Sequence, residues 1–477
     1  DVTVKDIKLA HQENFRSVEH LKRYTTLGMA TDQGKTSNVL GLAIMAHTAG
    51  QSIPDTGTTI YRPPYSPSAI GVFAGRSRDM DFRPIRKTPS HKWAEEQGAV
   101  FVEVGMWYRA QWFPREGETH WRQSVDREVA TTRASVGVCD VTTLGKIDVQ
   151  GSNAAAFLNK IYCNGFAKLD VGKTRYGLML REDGIAMDDG TAARLAEDHF
   201  VVTTTTANAV SVYHHMEFAR QVLWPDMDVQ LISTTESWAQ YAVSGPNARN
   251  LLRKIVDAEF DISNEAFPFM ACGSITVCGG LRARLFRISF SGELAYEIAV
   301  PTRYGDAMIR ALIEAGEEFG GCAYGTEALG VMRIEKGHAT GNELNGTTTA
   351  LNLGMGHMVS TQKDSIGSVL SRRDGLTGDD ALKLVGLKPC RKSDPVPAGS
   401  HLMTKGSPID AKHDQGYVTS ACYSPTLGHH IAIGFLKSGD QRLGEIVRLV
   451  SPLTNIEHDV EVVSAHFVDP EGDKLRA

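Results

Sequence analysis

The sequence predicts an α+β protein built in three parts. Residues 1–85 are expected to form helices followed by a proline-rich linker, residues 86–375 to alternate strands with helices, and residues 381–477 to form a small β-barrel or sandwich. Three observations support this: apolar residues spaced as in helices near the start, a strand-to-helix unit that occurs twice in the middle, and short strands broken by glycine and proline at the end. A chain of 477 residues is long enough for several such domains.

The helical signal in the first part comes from an apolar residue at every third position. These residues are Val18, Leu21, Tyr24 and Leu27, and residues 38–49 form a second apolar-rich stretch. Prolines then recur in residues 62–67 and 83–89, which favours an extended connector. A domain boundary is therefore predicted near residue 85.

A repeated unit organises the middle of the chain. Residues 149–161 and 243–255 share Gly, Asn, Ala, Leu, Lys and Ile in one register, and each has the pattern of a strand end followed by a helix start. Downstream, each copy has a turn glycine and, five residues later, an acid: Gly184 with Asp189, and Gly292 with Glu297. Two units related by a pseudo-twofold axis would bring these acids to one cleft, although two short matches also arise by accident.

The acids differ in their surroundings. Asp188 and Asp189 follow a predicted strand at 174–180 and a turn, and adjacent acids in such a place more often face solvent than catalyse a reaction. Glu297 lies in a predicted strand at 294–300, between Ala295 and Ala299 on the face opposite the large apolar residues. Small neighbours leave room for a ligand beside this carboxylate.

Composition excludes several classes of function. The net charge is −6 and no basic run occurs, so nucleic-acid and anionic-membrane partners are not expected. No apolar run is long enough to span a membrane, and seven scattered cysteines without a C-x-x-C indicate reduced thiols and a cytoplasmic location. The chain begins at Asp1 rather than Met, so we expect a missing or cleaved N-terminal portion.

No metal site is predicted. The adjacent pairs His214-His215 and His429-His430 are expected on strands, where neighbouring side chains point to opposite faces and cannot readily bind one ion. No Gly-x-Gly-x-x-Gly occurs either, so a dinucleotide fold is not expected within these residues.

Five segments, in order, resemble the aminomethyltransferase or glycine cleavage T-protein family. They are VGVCDV at 136–141, Tyr176 with 184–189, SFSGELAYEI at 289–298, RIE at 333–335 and VTSACYSPTLG at 418–428. The N-terminal helical stretch and residues 91–114 and 325–359 are similar, more narrowly, to the alpha-subunit family of heterotetrameric sarcosine oxidases. That similarity implies that an N-terminal dinucleotide-binding part is absent here.

The resemblance implies a cloverleaf of three domains around a tetrahydrofolate site. Carried over residue by residue, it makes Asp189, with Asp188 beside it, the catalytic acid. It also implies that Tyr176 flanks the folate, that Glu297 hydrogen-bonds the pterin ring, and that Thr204 stands where the family usually has a pterin-contacting asparagine.

The implied function is capture of the one-carbon unit from sarcosine oxidation as 5,10-methylenetetrahydrofolate. Partners would be a flavin-bearing beta subunit and smaller subunits, with FAD, FMN and NAD bound in the complex but outside this segment. The transferases carry an arginine at the lipoyl-arm entrance where this sequence has Leu329, which argues against the alternative of a stand-alone aminomethyltransferase of glycine cleavage. A non-catalytic folate-binding module is the other alternative.

Overall fold

The computed structural model describes residues 2–29, 33–63, 66, 68–78 and 81–477. The chain divides into two compact units, Asp1–Pro84 and Ile85–Ala477. Residues 64, 65 and 67 of the predicted proline-rich linker lie outside the described residues.

The first unit is helical, as the sequence predicts. Its helices are α1 (Val4–Gln12), α2 (Val18–Tyr24), α3 (Ser37–Ala49), α4 (Ile53–Thr56) and α5 (Ile70–Phe73). Leu21 and Met45 are fully buried in an apolar core to which α1, α2 and α3 contribute. The buried Lys22 ammonium is satisfied within this unit, since it donates to Glu19 Oε1 at 3.0 Å and to the Ile60 carbonyl at 2.6 Å.

The second unit combines helices and strands. Its helices are α6 (His91–Glu96), α7 (Trp121–Ala134), α8 (Ala154–Ile161), α9 (Ala209–Phe218), α10 (Ala248–Leu252), α11 (Gly305–Glu317), α12 (Thr326–Lys336), α13 (Asp374–Thr377) and α14 (Asp473–Arg476). Its first strands are β1 (Arg86–Lys87), β2 (Val100–Val104), β3 (Trp107–Trp112), β4 (Gly137–Asp140), β5 (Gly145–Gln150), β6 (Thr174–Leu180), β7 (Ala186–Ala196), β8 (His199–Thr204), β9 (Gln230–Ser233) and β10 (Trp238–Ser244). The others are β11 (Cys272–Val277), β12 (Leu281–Phe286), β13 (Ala295–Pro301), β14 (Cys322–Ala323), β15 (Leu382–Pro389), β16 (His401–Met403), β17 (Asp414–Ser424), β18 (His429–Lys437), β19 (Ile446–Ser451) and β20 (Ile456–Val463).

Two sheets carry the repeat that the sequence predicts. The strand order is β6-β7-β8-β5-β9 in the first sheet and β11-β12-β13-β10-β4-β14 in the second. In each, a strand (β5 or β10) leads into a helix and then a three-stranded antiparallel meander, whose last strand pairs with the strand that began the unit. The two units therefore have the same order and pairing of strands and helix.

The predicted equivalence of the two acids within that repeat is wrong. Asp189 lies on β7, the middle strand of the first meander, whereas Glu297 lies on β13, the last strand of the second. Gly184 is in the turn before a middle strand and Gly292 in the connection before a last strand, and both have positive φ. A fixed offset from a turn glycine places an acid in the next strand, but it does not say which strand of the meander that is.

One histidine pair also differs from expectation. His214 and His215 lie in α9 rather than on a strand, because Val212 and Met216, four residues apart, are both fully buried on one side of a helix. His429 and His430 do begin a strand, β18, as predicted.

The C-terminal part is a closed six-stranded barrel in the order β15-β18-β17-β16-β19-β20. Its core is formed by inward-facing branched residues, among them Val385, Leu449 and Val460. All seven cysteines lie within residues 81–477, where each of them is free. Over the described ranges, no helix combines the length and the apolar character that crossing a membrane requires.

Candidate functional site

The two sheets of the second unit face each other. Asp148 of β5 forms a buried ion pair with Arg284 of β12, with both guanidinium Nη atoms donating to the carboxylate at 3.0 and 2.6 Å. Beside this pair, Ala193 of the first sheet packs in one apolar cluster with Phe286 and Ala299 of the second. The term "inter-sheet face" is used below for the surface of each sheet that carries these residues.

Strand alternation places Asp189 on the inter-sheet face. On β7, Asp189, Thr191 and Ala193 point the same way, and Ala193 is in the cluster between the sheets. Tyr176 is the cross-strand partner of Thr191, so its side chain shares that face. The Tyr176 hydroxyl donates a hydrogen bond to Asp189 Oδ2 at 2.9 Å, which holds the carboxyl in place.

Asp188 points to the opposite side of the sheet. Its carboxylate accepts hydrogen bonds from the Thr205 hydroxyl at 2.7 Å, the Thr205 amide at 3.2 Å and the Asn208 side-chain amide at 3.0 Å. Asn208 is the N-cap residue of α9, so Asp188 fixes the turn that starts this helix. The adjacent acids therefore have different surroundings and different roles.

The ionisation of Asp189 is shifted toward neutral pH. Although its side chain keeps some accessible surface, burial in the surrounding protein raises its pKa to about 7, and the nearby charge of Asp188 acts in the same direction. The hydrogen bond from Tyr176 opposes the shift. Burial also raises the pKa of Asp188, against the hydrogen bonds from Asn208 and Thr205. Near pH 7, Asp189 is thus able to take up or release a proton.

Glu297 points from the second sheet toward the first sheet, which carries Asp189. It alternates on β13 with Ala299, which packs between the sheets, and only 8% of its surface is exposed. The side-chain amide of Gln240, on neighbouring β10, donates a short hydrogen bond to Glu297 Oε2. Burial raises the pKa of Glu297, while the Gln240 hydrogen bond and the charge of Lys146 oppose this. Ala295 and Ala299 flank Glu297 as expected, but both are buried.

Two polar residues of this region escaped sequence reasoning. Gln240 lies on β10 between the apolar residues Ala239 and Tyr241, and only 1% of its surface is exposed. A polar residue within such an apolar strand is the sequence signal by which Gln240 could have been identified. Lys146, also 1% exposed, lies at the start of β5. The effect of its charge on Glu297 in the second sheet depends on packing between distant segments, which no local sequence pattern reveals.

Thr204 is not brought together with these residues. A Cβ on Gly145 would lie 2.1 Å from Thr204 Oγ1, and the Thr204 hydroxyl donates to the carbonyl of Thr205 at 3.0 Å. Its side chain is therefore on the α9 side of the sheet. Thr203 is the residue that shares the face of Asp189, since its hydroxyl is 2.8 Å from that of Thr191. A ligand contact for Thr204 stays a prediction.

Leu329, at the position where the resemblance would place an arginine, belongs to an apolar cluster. The half-buried side chain packs on α12 against a group that includes Cys139 and Ala242. Ala242 is the register partner of Glu297, so this cluster continues the second sheet's inward surface. The wall here is apolar rather than cationic.

Three families match the chain along its length. Residues 1–76 match the Sarcosine oxidase A3 domain, residues 90–363 the GCVT N-terminal domain, and residues 383–469 the Glycine cleavage T-protein C-terminal barrel domain. The likeness thus covers both compact units.

Individual relatives agree with these matches. The chain is 51% identical to a "Sarcosine oxidase subunit alpha" of Rhizobium meliloti (strain 1021), over 100% of this chain and 48% of the relative, and 42% identical to one of Corynebacterium sp. (strain P-1), over 99% and 49%. It spans about half the length of these relatives. An "Aminomethyltransferase" of Geobacillus sp. (strain WCH70) is 29% identical, over 74% of this chain and 91% of the relative.

A solved structure confirms the predicted fold. The aminomethyltransferase T of the glycine cleavage system from Bartonella henselae superposes with a TM-score of 0.69 at 24% identity, covering 81% of this chain and 99% of that one. The predicted α+β architecture of the T-protein type, with a helical segment before it and a barrel after it, is therefore present. The chain belongs to the glycine cleavage T-protein (GCVT) family.

Proposed function

We propose that this chain is the tetrahydrofolate-binding part of a sarcosine oxidase, in which the one-carbon unit of sarcosine is captured as 5,10-methylenetetrahydrofolate. The observation that carries the proposal is the placement of Asp189 and Glu297 on facing sheets, one acid able to exchange protons near pH 7 and the other buried as an acceptor. The relatives that are 51% and 42% identical to this chain are named as sarcosine oxidase subunits, whereas the aminomethyltransferase relative is 29% identical. The higher identities favour sarcosine oxidation over glycine cleavage.

The residues of the site fit a reduced folate. The edge of a pterin presents N–H donors, and a buried carboxylate such as Glu297 is a strong acceptor for them. In the structure, Glu297 Oε2 accepts from Gln240, so the other oxygen has acceptor capacity for a ligand. The apolar cluster around Ala242 and Leu329 gives a surface on which a flat ring can lie.

Asp189 is the residue we assign to proton transfer. Bound tetrahydrofolate would supply the two nitrogens that hold the one-carbon unit. Asp189 takes and returns the protons that move when these bonds form, and its charge stabilises positive charge nearby. The hydroxyl of Tyr176 orients the carboxyl. General acid–base catalysis of this kind contributes roughly 10²–10⁴ in rate.

Partners and further cofactors extend the proposal beyond this chain. The sarcosine oxidase relatives are about twice as long as this chain. We assign the oxidation of sarcosine to a flavin-bearing beta subunit, with smaller subunits completing a cytoplasmic heterotetramer. FAD, FMN and NAD belong to parts of the complex outside these residues, which contain no Gly-x-Gly-x-x-Gly.

The apolar environment of Leu329 argues against a stand-alone aminomethyltransferase. In the transferases that this chain resembles, an arginine stands at the lipoyl-arm entrance. Leu329 supplies no such positive charge and packs instead among apolar residues. A small free imine needs no such docking charge, which agrees with an oxidase.

Calorimetric titration with 5-formyltetrahydrofolate, a stable reduced folate, tests the proposal. The chain should bind it, and Glu297→Gln should weaken binding by about tenfold or more, because a charge-assisted hydrogen bond is worth about 1.5–3 kcal/mol. Glu314→Gln, on the exposed side of α11, is the matched control and should bind as the unmodified chain does. Equal affinity for Glu297→Gln and the unmodified chain would remove Glu297 from the site.

A further inference from the structure

Lys146 is a buried cation beside the candidate site, and none of the roles described so far uses it. It follows the crossover at residues 140–145 that joins β4 of the second sheet to β5 of the first. Its ammonium donates hydrogen bonds to the carbonyls of Thr142 at 2.7 Å and Leu144 at 3.0 Å. An ammonium group has three donors, so these two bonds leave it a third.

Strand alternation places both Lys146 and Glu297 on the inter-sheet face. Asp148, two residues after Lys146 on β5, pairs with Arg284 of β12. Arg284 is in turn the cross-strand partner of Ala299, two residues after Glu297 on β13. Counting back two residues on both strands keeps the same face, so Lys146 and Glu297 both point into the space between the sheets.

The electrostatics agree with this geometry. Burial lowers the pKa of Lys146 to about 8, and the charges of Asp140 and Glu297 oppose that shift while Arg284 adds to it. Asp140 is already engaged by Ser90 and by the Thr142 amide, and Arg284 by Asp148, whereas Glu297 has only a neutral amide as its hydrogen-bond partner.

Asp189 on the facing sheet titrates near pH 7, but the two other groups on which Glu297 acts do not change charge in the neutral range. Burial raises the pKa of the Cys139 thiol to about 12 and places that of Tyr324 well above its usual value, with Glu297 acting in the same direction on both. Lys146 is therefore the cation that acts on Glu297 from the facing sheet.

We propose that Lys146 is a positioning residue for the site: its ammonium is the counter-charge that keeps the buried Glu297 in the carboxylate form. Glu297 then presents acceptors to the pterin edge rather than the hydroxyl donor of a protonated acid. This inference rests on the proposed function, because it assigns Lys146 to the folate-binding group.

The test compares Lys146→Met, Glu297→Gln and the double variant by titration with 5-formyltetrahydrofolate at several pH values. The unmodified chain gives the reference affinity at each pH, because Asp189 and Lys146 themselves titrate near pH 7 and 8. Relative to this reference, Lys146→Met should bind about tenfold more weakly at pH 6 and recover as pH rises, because the pKa of Glu297 goes up when its counter-charge is removed. In the Glu297→Gln background, Lys146→Met should cause no further loss at any pH.

Thermal melting of the same four proteins reports on the pair without any ligand. Lys146→Met should lower the melting temperature by leaving Glu297 uncompensated, and the double variant should regain most of it. A double variant as unstable as Lys146→Met, or a Lys146→Met protein whose affinity matches that of the unmodified chain at every pH, would overturn the inference. Absence of folate binding by the unmodified chain would instead overturn the proposed function, and the melting comparison would still report on the Lys146–Glu297 pair.

Discussion

At the scale of single residues, Asp188 and Asp189 show how alternation on a strand separates two neighbours. Asp188 is held by Thr205 and Asn208 at the start of α9, whereas Asp189 faces the second sheet and receives a hydrogen bond from Tyr176. The two carboxyls still feel each other's charge. One acid thus serves the fold and raises the pKa of the other.

The raised pKa of Asp189 should make the stability of the protein depend on pH. Because burial raises the pKa of Asp189 to about 7, above the value of about 3.9 for an unfolded aspartate, the folded state binds this proton more tightly. The stability so gained is fully present below about pH 4 and is lost as pH rises through about 7. Asp189→Asn should therefore melt a few degrees higher than the unmodified chain at pH 8, with the difference shrinking toward pH 4.

The matched variant Asp188→Asn should gain less. Burial also raises the pKa of Asp188, so losing its charge is favourable at pH 8, but the amide is a weaker acceptor for Thr205 and Asn208, and this offsets the gain. Calorimetric melting between pH 4 and 8 measures both variants. A melting profile of Asp189→Asn that parallels that of the unmodified chain would show that the Asp189 carboxyl titrates like an exposed one.

Residue types and spacing drew attention to Asp189 and Glu297, because acids in strand patterns are visible locally, whereas Tyr176 came from the resemblance to the T-protein family. Gln240 and Lys146 were not found, since their importance depends on which faces of two sheets meet. The face of Thr204 was likewise decided by packing against Gly145, which lies on another strand.

At the scale of elements, the hairpin of β6 and β7 shapes the first wall of the site. Gly177 and Gly190 are cross-strand partners in it, and the ring of Tyr162 lies against Gly177. A Cβ on residue 177 would be 2.5 Å from Tyr162 Cδ1, far inside van der Waals contact. The missing side chain thus lets a buried ring pack beneath the strand that carries Tyr176.

Gly177→Ala should accordingly destabilise the protein by about 1–3 kcal/mol, the usual cost of overpacking a core. Gly330→Ala is a suitable control: no atom lies within 4 Å of the position its Cβ would take in α12, and alanine is favoured over glycine in helices. Urea denaturation of the two variants provides the comparison. Equal stability of both variants would mean that the Tyr162 ring moves aside at no cost.

Element boundaries were predicted well where periodicity was strong. The strand at 174–180 has the predicted bounds, and the strand predicted at 294–300 is Ala295–Pro301. The helix α9 was not recognised around the adjacent histidines, because apolar residues such as Val210 and Phe218 also lie on its exposed face and weaken the helical periodicity.

At the scale of the whole second unit, α12 connects the sheets to the barrel. Arg333 of α12 donates to Glu343 at 2.9 Å and to the Ser420 hydroxyl on β17 at 2.7 Å. Glu335, fully buried, accepts from the Ser424 hydroxyl and from Arg133 of α7. Removing one partner from such a buried network is costly, so the barrel is firmly held to the sheets.

The sequence predicted the topological repeat and the C-terminal barrel, but not the strand order by which the barrel closes or the offset of the repeat at the acids. Barrel closure depends on pairing between β15 and β20, which are far apart in the chain. The offset arises because Gly184 follows the first strand of its meander, β6, whereas Gly292 follows the second strand of the other, β12.

The most direct test of the central claim uses Asp189→Asn in the complete, assembled enzyme supplied with sarcosine and tetrahydrofolate. The account predicts that peroxide output is maintained, because oxidation takes place elsewhere, while 5,10-methylenetetrahydrofolate falls by about 10² or more and free formaldehyde rises. Asp188→Asn, measured alongside, should keep the normal product ratio, because Asp188 faces α9. An unchanged product ratio in Asp189→Asn would contradict the assignment of proton transfer to this residue.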